Sequence, residues 1–69
     1  MNLYADITGT VWMVEVSPGQ TVAEGDTLLI VESMKMEIPV CATAAGVVRE
    51  VLVAKGDMVE DGQVVAVLG

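Results

Sequence analysis

Apolar residues in this chain come in short bursts at every second or third position, and glycines punctuate the bursts. Val11, Val14 and Val16 form one burst; Val48, Val51 and Val53 form another. Alternation with period two is the mark of a half-buried strand. Both bursts slip by one residue at the same place, between the first and second valine, as a β-bulge would produce. Breakers follow at Pro18-Gly19, Glu24-Gly25-Asp26, Lys55-Gly56-Asp57 and Asp61-Gly62. They lie too close together for helices of ordinary length. Leu28-Leu29-Ile30-Val31 is apolar without interruption, the pattern of a strand covered on both faces. The pattern predicts an all-β fold of seven or eight short strands with no substantial helix, stacked as two small sheets or a flattened barrel.

The pattern is also duplicated. Residues 9–31 match residues 46–68 at an offset of 37. Gly9 meets Gly46, Val11 meets Val48, Val14 meets Val51, Val16 meets Val53, Gly19 meets Gly56, Val22 meets Val59 and Gly25 meets Gly62. Two copies are too few for a solenoid. They predict one small domain of two similar halves related by an approximate two-fold. The connection between the halves then falls at an exposed hairpin tip. Its symmetry mate is the chain end, so the tip and the termini are expected at opposite ends of the domain.

Size and charge narrow the function. Sixty-nine residues make a single domain, 1–69. Such a domain buries only about 60% of its unfolded surface. One cysteine allows no internal disulfide, and the lack of histidine excludes the common zinc patterns. Stability must come from apolar burial, and 54% of the residues are hydrophobic, nearly all aliphatic. The formal net charge of −7 disfavours nucleic acid. The longest apolar run, Val64 to Leu68, is far short of a membrane span. The N-terminus carries no basic segment followed by an apolar one, and the lone cysteine fits a reducing setting. A cytoplasmic location is expected, or the mitochondrial matrix if the chain is a fragment of a eukaryotic enzyme. Cys41 is expected to be a small buried hydrophobe at a strand end. Asp57 and Asp61 are read as turn residues rather than metal ligands, like Asp6, Glu24 and Asp26.

The remaining signal is Glu32-Ser33-Met34-Lys35-Met36-Glu37, between strand-like stretches at Thr27–Val31 and Ile38–Ala42. Tight hairpin tips usually hold Asn-Gly or Asp-Gly, because they need positive φ. This chain spends glycine freely at its other turns, yet places Met34-Lys35 here. A local rule broken at one site and obeyed elsewhere points to function. Two exposed methionines are unusual on a surface, but their soft thioethers suit a sulfur-containing, partly apolar neighbour. Only roughly one free lysine amine in a few thousand is neutral at pH 7. No residue nearby could act as its base. Lys35 is therefore read as the substrate of a separate activating enzyme, and a stand-alone enzyme is not expected.

Met34-Lys35-Met36 at the junction of two such halves resembles the attachment motif of biotinyl domains, the biotin carboxyl carrier family. The resemblance spans essentially the whole chain, including Gly9-Thr10-Val11, both Gly-acidic turns and Ala45-Gly46-Val47-Val48. It implies the hammerhead fold: a flattened sandwich of two four-stranded sheets with quasi-two-fold symmetry. It implies covalent biotin on Lys35, attached by a biotin protein ligase through an activated adenylate. The carrier would then move CO2 as carboxybiotin from a biotin carboxylase to a carboxyltransferase acting on an acyl-CoA, pyruvate or a related acceptor. Met34 and Met36 would be flanking contacts, and Glu32 and Glu37 would help the ligase discriminate.

Similar lipoyl domains share the fold but typically place Asp-Lys-Ala around the lysine, so the methionines argue for biotin. Asp6-Ile7-Thr8 stands where family members often have Ala-Pro-Met, Ala42-Thr43-Ala44 where they often have Ala-Pro, and Ser33 where Ala is common. No insertion is long enough for the protruding thumb of some acetyl-CoA carboxylase carriers, so a thumbless carrier is expected, either a small subunit or part of a multidomain carboxylase. Two alternatives stay open at this point: a lipoyl carrier of a 2-oxoacid dehydrogenase-type complex, and an unmodified hammerhead binding module.

Overall fold

A computed structural model describes residues 1–69 as eight strands and no helix. They are β1 Asn2–Tyr4, β2 Gly9–Val14, β3 Thr21–Val22, β4 Thr27–Ser33, β5 Met36–Cys41, β6 Gly46–Val51, β7 Met58–Val59 and β8 Val64–Leu68. Two four-stranded antiparallel sheets form, in the orders β1-β8-β6-β3 and β5-β4-β2-β7. The two-sheet, all-β expectation holds.

The duplication is obeyed pair by pair. In one sheet Val11 lies opposite Val31, Met13 opposite Ile30 and Val14 opposite Leu29. In the other, Val48 lies opposite Leu68, Glu50 opposite Val67 and Val51 opposite Ala66. Every partner is offset by 37. The repeat also reaches beyond residues 9–31, because β1 on β8 copies the register of β5 on β4. Each sheet mixes strands from both halves: β3 pairs with β6, and β7 with β2. Neither half can complete its own sheet.

The shared slip in the valine bursts is a bulge in both copies. Register shifts between Val11 and Met13 and between Val48 and Glu50, leaving Trp12 and Arg49 as the extra residues. The reading of Leu28–Val31 as a strand covered on both faces needs correction. Register also shifts between Thr27 and Leu29. That bulge lets Leu28 and Leu29 both be buried in succession, while Ile30 on the other face is only half-buried. A bulge breaks strict alternation of side chains, so an apolar run does not require two covered faces.

Four turns are built alike. The N–H of Gln20, Asp26, Asp57 and Gln63 donates to the carbonyl three residues earlier, at 3.0–3.1 Å. The residue before each is a glycine, with φ between 89° and 94°, which is the type II arrangement. The last residue's side chain accepts from the first residue's N–H in each turn, through Asp26 and Asp57 at 2.8 Å, Gln63 at 3.0 Å and Gln20 at 3.3 Å. The turn reading of Asp57 is right, with Asp26 as its parallel. Asp61 contributes its backbone N–H instead, to the Thr8 hydroxyl at 3.0 Å.

The core is 16 buried residues, all Val, Leu or Ala. No buried side-chain polar atom lacks a partner. Cys41 is not part of the core but exposed, contrary to expectation. Val40 and Ala42 on either side of it are buried, so alternation sends the thiol outward. The chain ends are tied together: the Met1 ammonium donates to the Leu68 carbonyl and the Leu68 N–H to the Met1 carbonyl, both at 2.8 Å. The pseudo-two-fold carries the β4–β5 tip onto the gap between β8 and β1. Tip and termini therefore lie on opposite sides of the axis.

Candidate functional site

The site is the tip of the β4–β5 hairpin. Ser33 pairs with Met36, Glu32 with Glu37 and Val31 with Ile38, leaving a two-residue loop of Met34 and Lys35. Such a loop matches the twist of its strands as a type I′ or II′ turn, and type I′ has positive φ at both central residues. Met34 has φ 52° and Lys35 has φ 65°, and no other non-glycine residue of the chain has positive φ. Each costs roughly 1–2 kcal/mol relative to ordinary backbone.

The strands beneath hold that strain. β4 is a central strand, paired on both sides, and Leu28, Leu29 and Val31 within it are fully buried. Gly9 allows β2 to press against the end of β4. A Cβ at Gly9 would lie 2.4 Å from the Glu32 carbonyl oxygen and 2.7 Å from a Val31 methyl. The hairpin base is thus fixed by packing, and the strained loop stands beyond it.

At the tip Met34 is 92% exposed and Met36 59% exposed. Lys35 between them is exposed too. Glu32 and Glu37 face each other across the strands below, both exposed. In a two-residue hairpin the Ser33–Met36 pair is hydrogen-bonded, so Glu32–Glu37 is the non-bonded pair, whose side chains lie closer. Like charges directly opposite are destabilising. The hairpin therefore breaks two local rules within six residues. All five residues singled out from sequence are brought together here.

The surface around the tip is open. It has no pocket, and no group of three or more Asp, Glu or Cys residues could share a metal ion. A covalent bond is one way to hold a cofactor on a surface without a concave site. An exposed primary amine on a four-carbon stem, at a rigidly supported tip, suits such a bond. The methionines beside it present soft apolar surface to an attached group.

Sequence reasoning did not assign a role to Gly9, nor to Met58. Met58 on β7 lies opposite Thr10, is 71% exposed, and accepts a hydrogen bond from the Thr10 hydroxyl at 3.4 Å. The signal for both lay in the internal alignment. It pairs Met58 with Thr21 and the tight Gly9 with the roomier Gly46.

Residues 4–68 match the family described as biotin-requiring enzyme. The chain is 47% identical over 67 residues to the biotinylated protein TB7.3 homolog of Mycobacterium leprae, covering 97% of this chain and 94% of that protein. It is 41% identical over 64 residues to the biotin/lipoyl attachment protein of Bacillus subtilis, covering 93% and 88%. Its fold matches part of the crystal structure of Kluyveromyces lactis urea carboxylase with a TM-score of 0.93 at 42% identity. That match takes in all of this chain and 6% of the carboxylase.

Proposed function

This chain belongs to the biotin-requiring enzyme family, and from that premise we propose that the Lys35 amine is where biotin is attached. The chain is a biotin carrier domain working with the other domains or subunits of a biotin-dependent carboxylase. The observation that supports Lys35 most directly is the Met34-Lys35 loop, held at positive φ on a surface without a pocket. A lysine stands at the apex despite that strain, where glycine would be easier.

The residues then divide the work. The deprotonated Lys35 amine attacks the activated acyl carbon presented by a separate biotin protein ligase; AMP leaves and one amide bond forms. Met34 and Met36 flank the new amide, and Glu32 and Glu37 are contacts for the ligase. When bound, biotin supplies a ring nitrogen that accepts and releases a carboxyl group. The domain itself is non-catalytic, and its contribution is delivery. A cofactor tethered at the tip reaches a biotin carboxylase site and a carboxyltransferase site at high effective concentration. The termini on the other side of the two-fold leave the tip clear of any tether. Nucleic acid and membrane have no part in this reading, since the −7 charge repels phosphate surfaces. The exposed, unpaired Cys41 suits the reducing cytoplasm, where we place the domain.

Intact mass of the protein co-expressed with a biotin protein ligase and excess biotin tests the reading, beside Lys35→Arg. One biotinyl increment, lost in the variant, is expected. No increment, or a lipoyl one when a lipoyl ligase is offered, overturns it.

A further inference from the structure

The internal two-fold supplies a control for most surface residues, because positions of one sheet away from the hairpin tip have twins on the same backbone in the other. Four outward residues of the sheet bearing the tip are apolar where their twins are polar, while Thr10 has the exposed Val47 as its twin and Cys41 the exposed Tyr4. Trp12 stands where the other sheet has Arg49, Met13 where it has Glu50, Met58 where it has Thr21, and Pro39 where it has Asn2. The registers are the same in both sheets. The apolar residues are therefore not needed for the fold, since polar ones occupy the same places in its other half. Trp12 is 40% exposed and Met13 and Met58 are exposed as well. Ile30, half-buried, lies between Met13 and Pro39 in one cross-strand row. Met58, Thr10, Glu32 and Glu37 form the next row, one step closer to Lys35.

We propose that this outer face is the docking surface for the ligase that acylates Lys35, and that the ligase meets it with an apolar patch rimmed by lysine or arginine. The inference rests on Lys35 being the attachment point. Charge gives the rim: Glu32 and Glu37 sit on the face. Of the chain's three basic residues, Arg49 is on the opposite sheet, Lys35 is the group being acylated, and Lys55 lies at the margin of this sheet, in the turn before β7. A second copy of the chain, itself at −7, is a poor occupant. Reach selects the ligase among the partners. A bare lysine side chain extends only roughly 6 Å from its Cα. The enzyme that acylates it must close on the surface beside it, whereas later partners are reached by the much longer acylated arm. The approach is to the face rather than the edge, because β5 is an edge strand and its Pro39 has no N–H for an added strand.

The test transplants the chain's own polar half onto this face, as Trp12→Arg, Met13→Glu and Met58→Thr together. That change leaves net charge unaltered. The reverse triple, Arg49→Trp, Glu50→Met and Thr21→Met, is the control on the other face. A single Met58→Thr guards against misfolding of the triple, and circular dichroism checks each protein. Acylation rate is measured by mass with purified biotin protein ligase, ATP and biotin. A fall in kcat/KM of about tenfold or more in the triple, carried mainly by KM, is expected, as for loss of an aromatic-centred contact. Met58→Thr should show a smaller fall and the control none. Equal rates for wild type and both folded face variants overturn the docking surface while leaving Lys35 in place. Loss in both triples alike overturns it too. No acylation of the wild type overturns the attachment reading along with it.

Discussion

Gly9→Ala and Gly46→Ala are the same substitution at two-fold-related positions, and the structure gives them opposite outcomes. A methyl at position 9 would stand 2.4 Å from a backbone oxygen and 2.7 Å from the buried Val31 side chain. It falls about 1 Å short of ordinary contact, and a backbone carbonyl in the centre of a sheet cannot rotate away. β2 must move off β4, at an overpacking cost of about 1–3 kcal/mol. The smaller entropy of the unfolded alanine chain returns about 0.4–1 kcal/mol. The net loss is about 2.6 kcal/mol at most. A methyl at position 46 meets the Gly69 carbonyl oxygen at 3.4 Å and Leu68 side-chain atoms at 3.5 Å, with no strained φ. There the entropy gain stands alone, and stability rises by about 0.4–1 kcal/mol. For a domain of this size 1 kcal/mol is worth about 4–8 °C in Tm. Thermal unfolding followed by circular dichroism should thus show Gly9→Ala melting below wild type by several degrees or more, and Gly46→Ala slightly above it. Equal shifts in the same direction would refute the argument that the Glu32 carbonyl, rather than glycine content, sets the requirement. Because Glu32 lies three residues before Lys35, Gly9→Ala should also slow acylation of the protein that remains folded.

Met34→Asn relieves the positive φ at the tip and should raise stability by about 0.5–1 kcal/mol in urea unfolding; no gain would mean the loop is not strained. It should also slow acylation, a cost often seen when a strained site is relaxed. Met34→Leu with Met36→Leu should leave the fold intact, and carboxyl transfer by the biotinylated double variant should fall; unchanged transfer would remove the flanking-contact role. Cys41 should react with a thiol reagent in the native protein about as fast as in urea, and Cys41→Ser should change Tm by no more than a few degrees. Strong native-state protection would return the thiol to the core.

Local pattern carried much of this protein. The valine spacing and its shared slip marked β2 and β6 with their bulges, because a bulge shifts the inward-facing set by one residue in any sequence. The Gly-based turns were legible because positive φ at those places demands glycine. Lys35 was legible because a demanding loop was filled by residues that do not suit it. Other features depended on which segments meet. β1 and β5 joined the repeat only through their partners, β8 and β4, since neither strand's own residues resemble the other's. The exchange of β3 and β7 between halves was not written in either half, because pairing across many residues leaves no local period. Leu28 and Leu29 share burial because β5 slips past β4, and Cys41 faces outward because that same register turns Val40 and Ala42 inward. The two-fold itself could be read from the chain. Which side chains its faces expose, with Trp12, Met13 and Met58 on the sheet that bears the attachment lysine, was settled only when the strands were placed side by side. Side-chain exposure is a property of the assembled sheet and not of the residue.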